Sequence, residues 1–286
     1  MKVSAIILTY NRAHMLTEAI DSVLNQTFKD FEVIVVDNYS SDNTEAVVKS
    51  YNDKRIKYFK NQNNGFIGVN RNYGVEKSRG EYITFLDDDD LWLSEKLERQ
   101  VELLDSNKEL GLVYSDSYMI NGDGNVRENT YFHGVNPVRG SAFNELFMLN
   151  VIPMLTVVIK REVLDKVGVF NPRYKIALDH DLWLRVVQYY PIDFIEQPLA
   201  KYRLYSDSVS QKNINLTYQE ELQIIDYWLK RNPGLERELG SKIKWRKAAI
   251  YRAMLSIAIR HILRDRNMAS IKGLGKLLRY LMLPRR

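Results

Sequence analysis

The first hundred residues alternate short apolar runs with helix-like segments, and this alternation constrains the fold more than any other feature of the chain. Residues 3–8, 31–36, 56–59 and 82–86 are runs rich in β-branched and large apolar side chains, as strands buried on both faces require. Between them, residues 13–24, 44–51 and 68–77 carry helical spacing; in the first, Met15, Ile20, Val23 and Leu24 fall on or near one face. A further helix is predicted over 94–104, with Ser94 as its N-cap. Strands alternating with helices at this pitch predict an α/β fold built on a doubly wound, mostly parallel sheet. Such a sheet takes its ligands beyond the carboxyl ends of its strands.

After residue 110 the pattern becomes mixed. Residues 111–120 and a partner strand flank Asn121-Gly122-Asp123-Gly124-Asn125, a glycine-rich turn that predicts a hairpin. A helix is expected over 141–149, a strand over 156–160, a helix over 181–190, and two closing strands over 192–195 and 199–204. From about residue 216 onward the reading is helical. No internal repeat, low-complexity stretch or Pro/Gly/Ser linker divides the chain. The expected organisation is therefore a catalytic domain over residues 1–215 and a helical extension over 216–286, packed together and not tethered.

Polar residues gather where the predicted strands end. The first strand runs into Thr9-Tyr10-Asn11-Arg12, the second into Asp37-Asn38-Tyr39-Ser40-Ser41-Asp42, and the fourth into Asp87-Asp88-Asp89-Asp90. In a parallel sheet these ends share one edge, so the clusters should share one cleft. Four adjacent carboxylates repel, and at least one pKa must rise unless a cation compensates. Hard oxygen donors suit Mg2+ or Mn2+ shared with a phosphate. The other reading is a solvated acidic turn leading into a helix start, where the dipole favours Asp. Glycine-loop phosphate binding is excluded: no G-x-G-x-x-G follows the first strand, and no G-x-x-x-x-G-K-[ST] exists. With no cysteine there is no disulfide, thiolate metal site or cysteine nucleophile, and the four histidines are scattered.

These residues carry a family resemblance. The stretches 3–12, 35–44, Asn63-Asn64-Gly65 leading to Arg71-Asn72, and Gly80 through Trp92 occur in this order, followed by Lys96-Leu97-Glu98, Asp179-His180-Asp181-Leu182-Trp183 and Tyr202-Arg203-Leu204. In this the chain resembles the family 2 glycosyltransferases of the GT-A fold, over about residues 3–210. The resemblance implies an inverting transfer of a sugar from a nucleotide donor, UDP-linked by preference, to an acceptor hydroxyl in cell-surface polysaccharide or glycolipid assembly. It implies that Thr9, Tyr10, Asn11 and Asp37 hold the nucleotide and that Arg71 sits beside the base or diphosphate. Asp87 and Asp89 would form a D-x-D motif: Asp87 faces the ribose or a metal-bound water, Asp88 shares the ribose contact, and Asp89 binds Mn2+ or Mg2+. Asp179 would be the catalytic base.

The chain also departs from the family pattern. Leu178 stands where Glu often precedes the base, Asn38 and Tyr39 replace Asp and Gly, and Tyr205 replaces a His that follows Tyr-Arg in many relatives. Two other function classes stay open at this point. One is a phosphatase-like hydrolase, because a strand followed by Asp87-x-Asp89 superficially resembles the haloacid dehalogenase nucleophile motif; the other is an inactive sugar-nucleotide binding module. Trp92 and Trp183 read as core or cleft-wall aromatics, His180 as a neighbour of the base, and Arg185 as half of a helix-face ion pair.

Charge is split along the chain. Residues 240–286 hold thirteen Lys and Arg and a single acid, Asp265, a net +12; the remainder carries −7. The extension reads as two amphipathic helices. In one, Ile243, Ile250, Met254, Ile257 and His261 make a stripe, with Lys242, Arg246, Arg260 and Arg264 opposite. In the other, Ile271, Leu274, Leu278 and Leu281 are opposed by Lys272, Lys276 and Arg279. The first is expected to pack on protein and the last to lie on an anionic membrane surface. No nucleic-acid module is recognisable. No run of about 18 apolar residues exists to span a bilayer. The N-terminus reads as a first strand and not as a signal peptide. The expected location is the cytoplasm, peripheral on the inner face of the plasma membrane.

Overall fold

The computed structural model describes residues 1–205 and 208–265. The chain divides into two compact units, Met1–Ser208 and the residues from Val209 on.

In the first unit, β1 (Val3–Thr9) is central. It pairs in parallel with β2 (Phe31–Asp37) on one side and with β4 (Tyr82–Asp87) on the other; β3 (Ile56–Lys60) extends the sheet beyond β2. Every residue of β1 and β2 is buried, whereas β3 is only half-buried, as an edge strand should be. The helices α1 (Ala13–Leu24), α2 (Thr44–Ser50), α3 (Ile67–Lys77) and α4 (Lys96–Ser106) supply the connections. Leu16, Ala19, Ile20 and Val23 form the buried stripe of α1. In α3 the close approach to the sheet requires glycine: a Cβ on Gly74 would stand 2.5 Å from Ile6 Cγ2.

The second half of the sheet is mixed. Its order is β3-β2-β1-β4-β8-β6-β9-β5, with β5 (Leu91–Trp92), β6 (Leu112–Ile120), β8 (Val158–Lys160) and β9 (Ile192–Arg203); β7 (Val126–Thr130) pairs with β6 off this path. The hairpin expected around residues 121–125 is β6 and β7, closed by Asn121 N–H donating to Asn125 O at 3.0 Å. Two closing strands were expected, but 192–203 is a single strand, parallel to β6, whose register shifts at Asp116. That irregularity absorbs Pro198, which pairs opposite Asp116. Two short helices, α5 (Phe143–Met148) and α6 (Arg161–Val167), precede α7 (Leu178–Val187). The expected Ser94 cap is absent: α4 begins at Lys96 without a side-chain cap, and Ser94 instead offers its carbonyl to Thr27 N–H at 2.8 Å.

Strand order has a direct consequence for the site. From β1 the chain winds outward to β2 and β3, then returns to place β4 on the other side of β1. The topological switch point therefore lies between β1 and β4, where open α/β sheets leave a crevice at the strand carboxyl ends.

The second unit contains α8 (Val209–Lys212), α9 (Ile214–Arg231) and α10 (Gly234–Asp265). Leu235, Leu239, Ile243 and Ile250 are the buried stripe of α10. Arg246, expected opposite that stripe, is also buried and donates to Glu221 of α9. Its position three residues after Ile243 and four before Ile250 puts it on the same helix face. Lys247 likewise donates to Asp226 of α9 at 2.5 Å. The helix expected around Ile271–Leu281 lies outside the described residues. Among the described residues, no helix is long and apolar enough to cross a membrane.

Candidate active site

The carboxyl ends of β1, β2 and β4 meet in register: Thr9 lies beside Asp37, and Leu8 beside Asp87. The loops that follow are pinned to one another. Asn38 N–H donates to Thr9 O at 3.0 Å, Asn11 N–H to Ser40 Oγ at 2.8 Å, and Ser41 N–H to Asn11 Oδ1 at 2.7 Å. Asn11 has φ +52°, a left-handed conformation that asparagine tolerates. Tyr39 has φ +58°, where a bulky side chain is uncommon, and its ring is exposed. Asp37 is buried; Ser40 N–H and Oγ–H donate to its Oδ1 at 2.8 and 2.6 Å, and the Tyr58 hydroxyl donates to its Oδ2 at 2.5 Å. Burial and the Asp37 charge hold the Tyr58 phenol far above its ordinary pKa, so it remains a donor.

The four acids at the carboxyl end of β4 are held in four different ways. Asp87 is the exposed member, and Arg71 Nη2 donates to both of its oxygens at 3.0 and 3.1 Å. Asp88 is buried; its Oδ1 accepts from Arg12 Nη1 at 2.9 Å and its Oδ2 from Tyr10 N–H at 3.3 Å. Burial pushes the Asp88 carboxyl up to about 7, the Asp89 charge adds to the rise, and Arg12 opposes it. Asp89 Oδ2 accepts from the same Arg12 nitrogen at 2.9 Å and from the Tyr205 hydroxyl at 2.5 Å. Burial and the Asp87 charge raise its pKa as well. Asp90 is buried beneath the turn, where desolvation and Asp89 keep it well above the usual carboxylate range; Arg203 N–H donates to its Oδ1 at 2.8 Å. The Arg203 guanidinium ties the turn down through Asp89 O, Gly122 O and Glu18 Oε2.

The compensating cations that an acid run demands are therefore Arg12 and Arg71, with Arg203 beneath Asp90. Arg71 was a site candidate on the sequence, whereas Arg12, Tyr58 and Arg203 were not. The signal for Arg12 was available, since it stands directly after the first strand, beside the edge where the acids converge. Tyr205, at the position where many relatives have His, reaches Asp89 as a hydrogen-bond donor; burial and Asp89 hold its phenol far above the ordinary value.

Asp179 lies elsewhere, half-buried in the first turn of α7, with Asn150 Nδ2 donating to its Oδ2 at 3.2 Å. Two tyrosines whose rings meet lie near it and near the acidic turn, respectively. Burial and then the Asp179 charge push the Tyr131 phenol up to about 12. The Tyr131 ring lies 6.2 Å from that of Tyr202, whose own phenol is raised by burial and by Asp90, Asp87 and Asp89. Beside Asp179, His180 is buried with Nε2 donating to Leu146 O at 2.8 Å; Trp183 is a core residue of the same helix, and Trp92 is a core residue packed with α1 and α4. Arg185 pairs with Asp181 one turn away and donates to Val167 O and Gly168 O at the end of α6.

Chemically, the turn offers Asp87 and Asp89 to a hard cation. Among the described residues, no group of three or more His, Asp or Glu side chains is gathered to hold a metal ion. Two carboxylates nonetheless fit Mg2+ or Mn2+, which are commonly bound through one or two carboxylates, with water and substrate phosphate supplying the other oxygens.

Comparison with known proteins identifies the family. The sequence profile described as glycosyl transferase family 2 matches residues 4–167. An uncharacterized glycosyltransferase of Rickettsia conorii is 36% identical over 228 residues, 78% of this chain; the chain spans only 37% of that relative's length. The Escherichia coli UDP-Glc:alpha-D-GlcNAc-diphosphoundecaprenol beta-1,3-glucosyltransferase WfgD is 33% identical over 210 residues, 73% of this chain and 79% of its own. Among solved structures, the mannosyltransferase PcManGT from Pyrobaculum calidifontis, in complex with GDP-Man and Mn2+, superposes with a TM-score of 0.65 at 18% identity. That match covers 98% of this chain and 85% of the other, and it shows a shared GT-A fold.

Proposed function

This chain belongs to glycosyl transferase family 2, and from that premise we propose that it is an inverting, metal-dependent transferase that takes a UDP-sugar and glycosylates a lipid-linked saccharide. The hydrolase reading falls away with the family. The observation that carries the proposal is the meeting of Thr9, Asp37, Arg71 and the acidic turn at the switch point between β1 and β4. Support for the donor and acceptor classes comes from the E. coli relative, named for UDP-Glc and a diphosphoundecaprenol acceptor.

On this reading Thr9, Tyr10, Asn11 and Asp37 receive the nucleoside, Arg71 lies against the diphosphate, and Asp87 and Asp88 face the ribose. Asp89 and Asp87 would hold a divalent ion, and the chemistry it would supply is Lewis-acid neutralisation of the leaving diphosphate. Asp179 removes the acceptor hydroxyl proton as the oxygen attacks the anomeric carbon. The bond from that carbon to the diphosphate oxygen breaks with its electron pair on the leaving group, and attack from the opposite face inverts the configuration. The amide of Asn150 orients the carboxylate.

Transfer from UDP-sugars with Mn2+ tests the assignment. Asp179→Asn should lower kcat by about 10²–10⁴-fold, the usual weight of a general base. UDP should still raise its melting temperature, because the nucleotide contacts are untouched. Undiminished turnover would remove Asp179 from the mechanism.

Helix α10 was expected to pack on protein, and one face does so; we propose that its other face meets an anionic membrane. Its support is an exposed face with Lys242, Lys244, Trp245, Arg252 and Arg260, in a stretch with no acid from Ser241 to Arg260. Trp245 is 68% exposed, and an indole beside cations suits the headgroup boundary. The full chain should float with vesicles containing anionic lipid, and Trp245→Ser should float less; flotation of neither protein would sink the membrane assignment.

A further inference from the structure

The geometry points to Arg12 as a built-in counter-cation of the acidic turn, which a divalent ion must displace, so that metal and nucleotide diphosphate load together and the metal does not load first. The inference rests on the metal-dependent donor site proposed above and specifies how that site is kept in the absence of donor.

The argument begins with one nitrogen. Arg12 Nη1 stands 2.9 Å from both Asp88 Oδ1 and Asp89 Oδ2. The Tyr205 hydroxyl donates to the same Asp89 oxygen, and the Arg12 guanidinium lies 5.9 Å from the Tyr205 ring centroid. Asp89 Oδ2 thus faces two donors at once. A cation approaching this oxygen meets a positive charge already in place, and like charges at such separation repel strongly where water is scarce. Asp87 is answered separately, by Arg71, so Arg12 serves Asp88 and Asp89 in particular.

Backbone geometry holds Arg12 in this role without locking it there. The left-handed Asn11 turns the chain between the end of β1 and the start of α1, and Asn11 is itself bonded on both sides to the β2 loop. Arg12 is the residue immediately before α1, and 26% of its side chain is exposed. It can leave the carboxylates by side-chain rotation, with α1 intact. What it lacks, when a metal arrives alone, is a new partner. A diphosphate provides one: phosphate oxygens match the guanidinium fork, with charge-assisted bonds comparable to those given up. Metal and nucleotide therefore each bind better in the presence of the other, and linkage requires the two enhancements to be equal.

Binding measurements without any sugar transfer test this. Mn2+ is titrated by electron paramagnetic resonance into the full chain and into Arg12→Gln and Arg12→Lys, each without nucleotide and with saturating UDP. For the wild type, UDP should tighten Mn2+ binding by about tenfold or more, within the usual range of coupling between sites. Arg12→Gln should bind Mn2+ alone about tenfold tighter than wild type and gain less from UDP. Arg12→Lys keeps the charge but loses the planar fork that a diphosphate would engage, and should fall between them. Melting curves of both variants confirm that the folded protein is being titrated. If wild type binds Mn2+ with UDP while Arg12→Gln binds Mn2+ alone no tighter than wild type, the role of Arg12 is overturned and the donor site stands. If no arm binds Mn2+, the metal-dependent reading fails and the role of Arg12 fails with it.

Discussion

Glu32 and Asp88 are both buried carboxylates of the same sheet, yet their surroundings push them in opposite directions. Glu32 sits near the start of β2. Its Oε1 accepts from Ser4 Oγ at 2.7 Å and from Arg79 N–H at 2.6 Å, and its Oε2 from Lys57 Nζ at 2.6 Å. Despite the cost of burial, these donors hold its pKa below the ordinary value. Asp88 sits at the other end of the strands, beside Asp87, Asp89 and Asp90, and its pKa rises. At the strand starts Glu32 has three donors to itself, so its polar contacts hold the fold. At the strand ends acids outnumber bases, so the arrangement has charge left to offer a ligand. Perturbation of this kind clusters at functional sites, and here it separates the two ends of one sheet.

The larger consequence lies at the satisfied end. Glu32→Ala leaves the Arg79 amide without its acceptor and removes a partner from the Ser4 hydroxyl and from Lys57. With each unmet buried donor costing about 1–3 kcal/mol, stability should fall by roughly 3 kcal/mol in urea denaturation. UDP affinity of the folded fraction should not change, because Glu32 lies at the opposite end of β2 from Asp37. A loss of UDP affinity without loss of stability would reverse the comparison.

How much of this was legible in the sequence depends on how local the cause is. The first four strands and their helices follow from side-chain alternation within each segment, and they appear close to where they were expected. Strand β5 and helix α6 were missed for physical reasons. Strand β5 is only Leu91–Trp92 and exists because β9, more than a hundred residues later, pairs with it. Helix α6 starts at Arg161, directly after β8 ends at Lys160, so no turn residue separates the two patterns. Ser94 looked like a cap because serine suits that position, but a tertiary contact with Thr27 claimed its carbonyl. In the site, the four Asp after an apolar run announced themselves. Their pairing did not, because that Arg12 reaches Asp88 and Asp89 while Arg71 reaches Asp87 follows from strand order and not from spacing. Glu32 was hidden in the same way: inside an apolar run it reads as one polar residue, and its donors come from residues 4, 57 and 79.

A smaller effect tests the comparison through pH. Asp88 has a folded-state pKa raised to about 7 above an unfolded value near 4, so the folded form prefers it protonated. Its contribution to stability is fully present below about pH 4 and is lost as pH rises through 7. Glu32 has the opposite sign: its pKa is lowered in the folded state, and its contribution is present above its unfolded value and lost as pH falls through the folded one. Asp88→Asn should therefore gain stability relative to wild type as pH rises from 4 to 7, by a few kcal/mol at most, and hold that gain above pH 7. The deficit of Glu32→Ala should be nearly flat over the same interval and shrink only in acid. Denaturation of the three proteins at a series of pH values reads both slopes. If Asp88→Asn tracks wild type across pH 4 to 7, Arg12 and Tyr10 N–H satisfy Asp88 as fully as Glu32 is satisfied. The two ends of the sheet would then differ in ligand chemistry without differing in electrostatic strain.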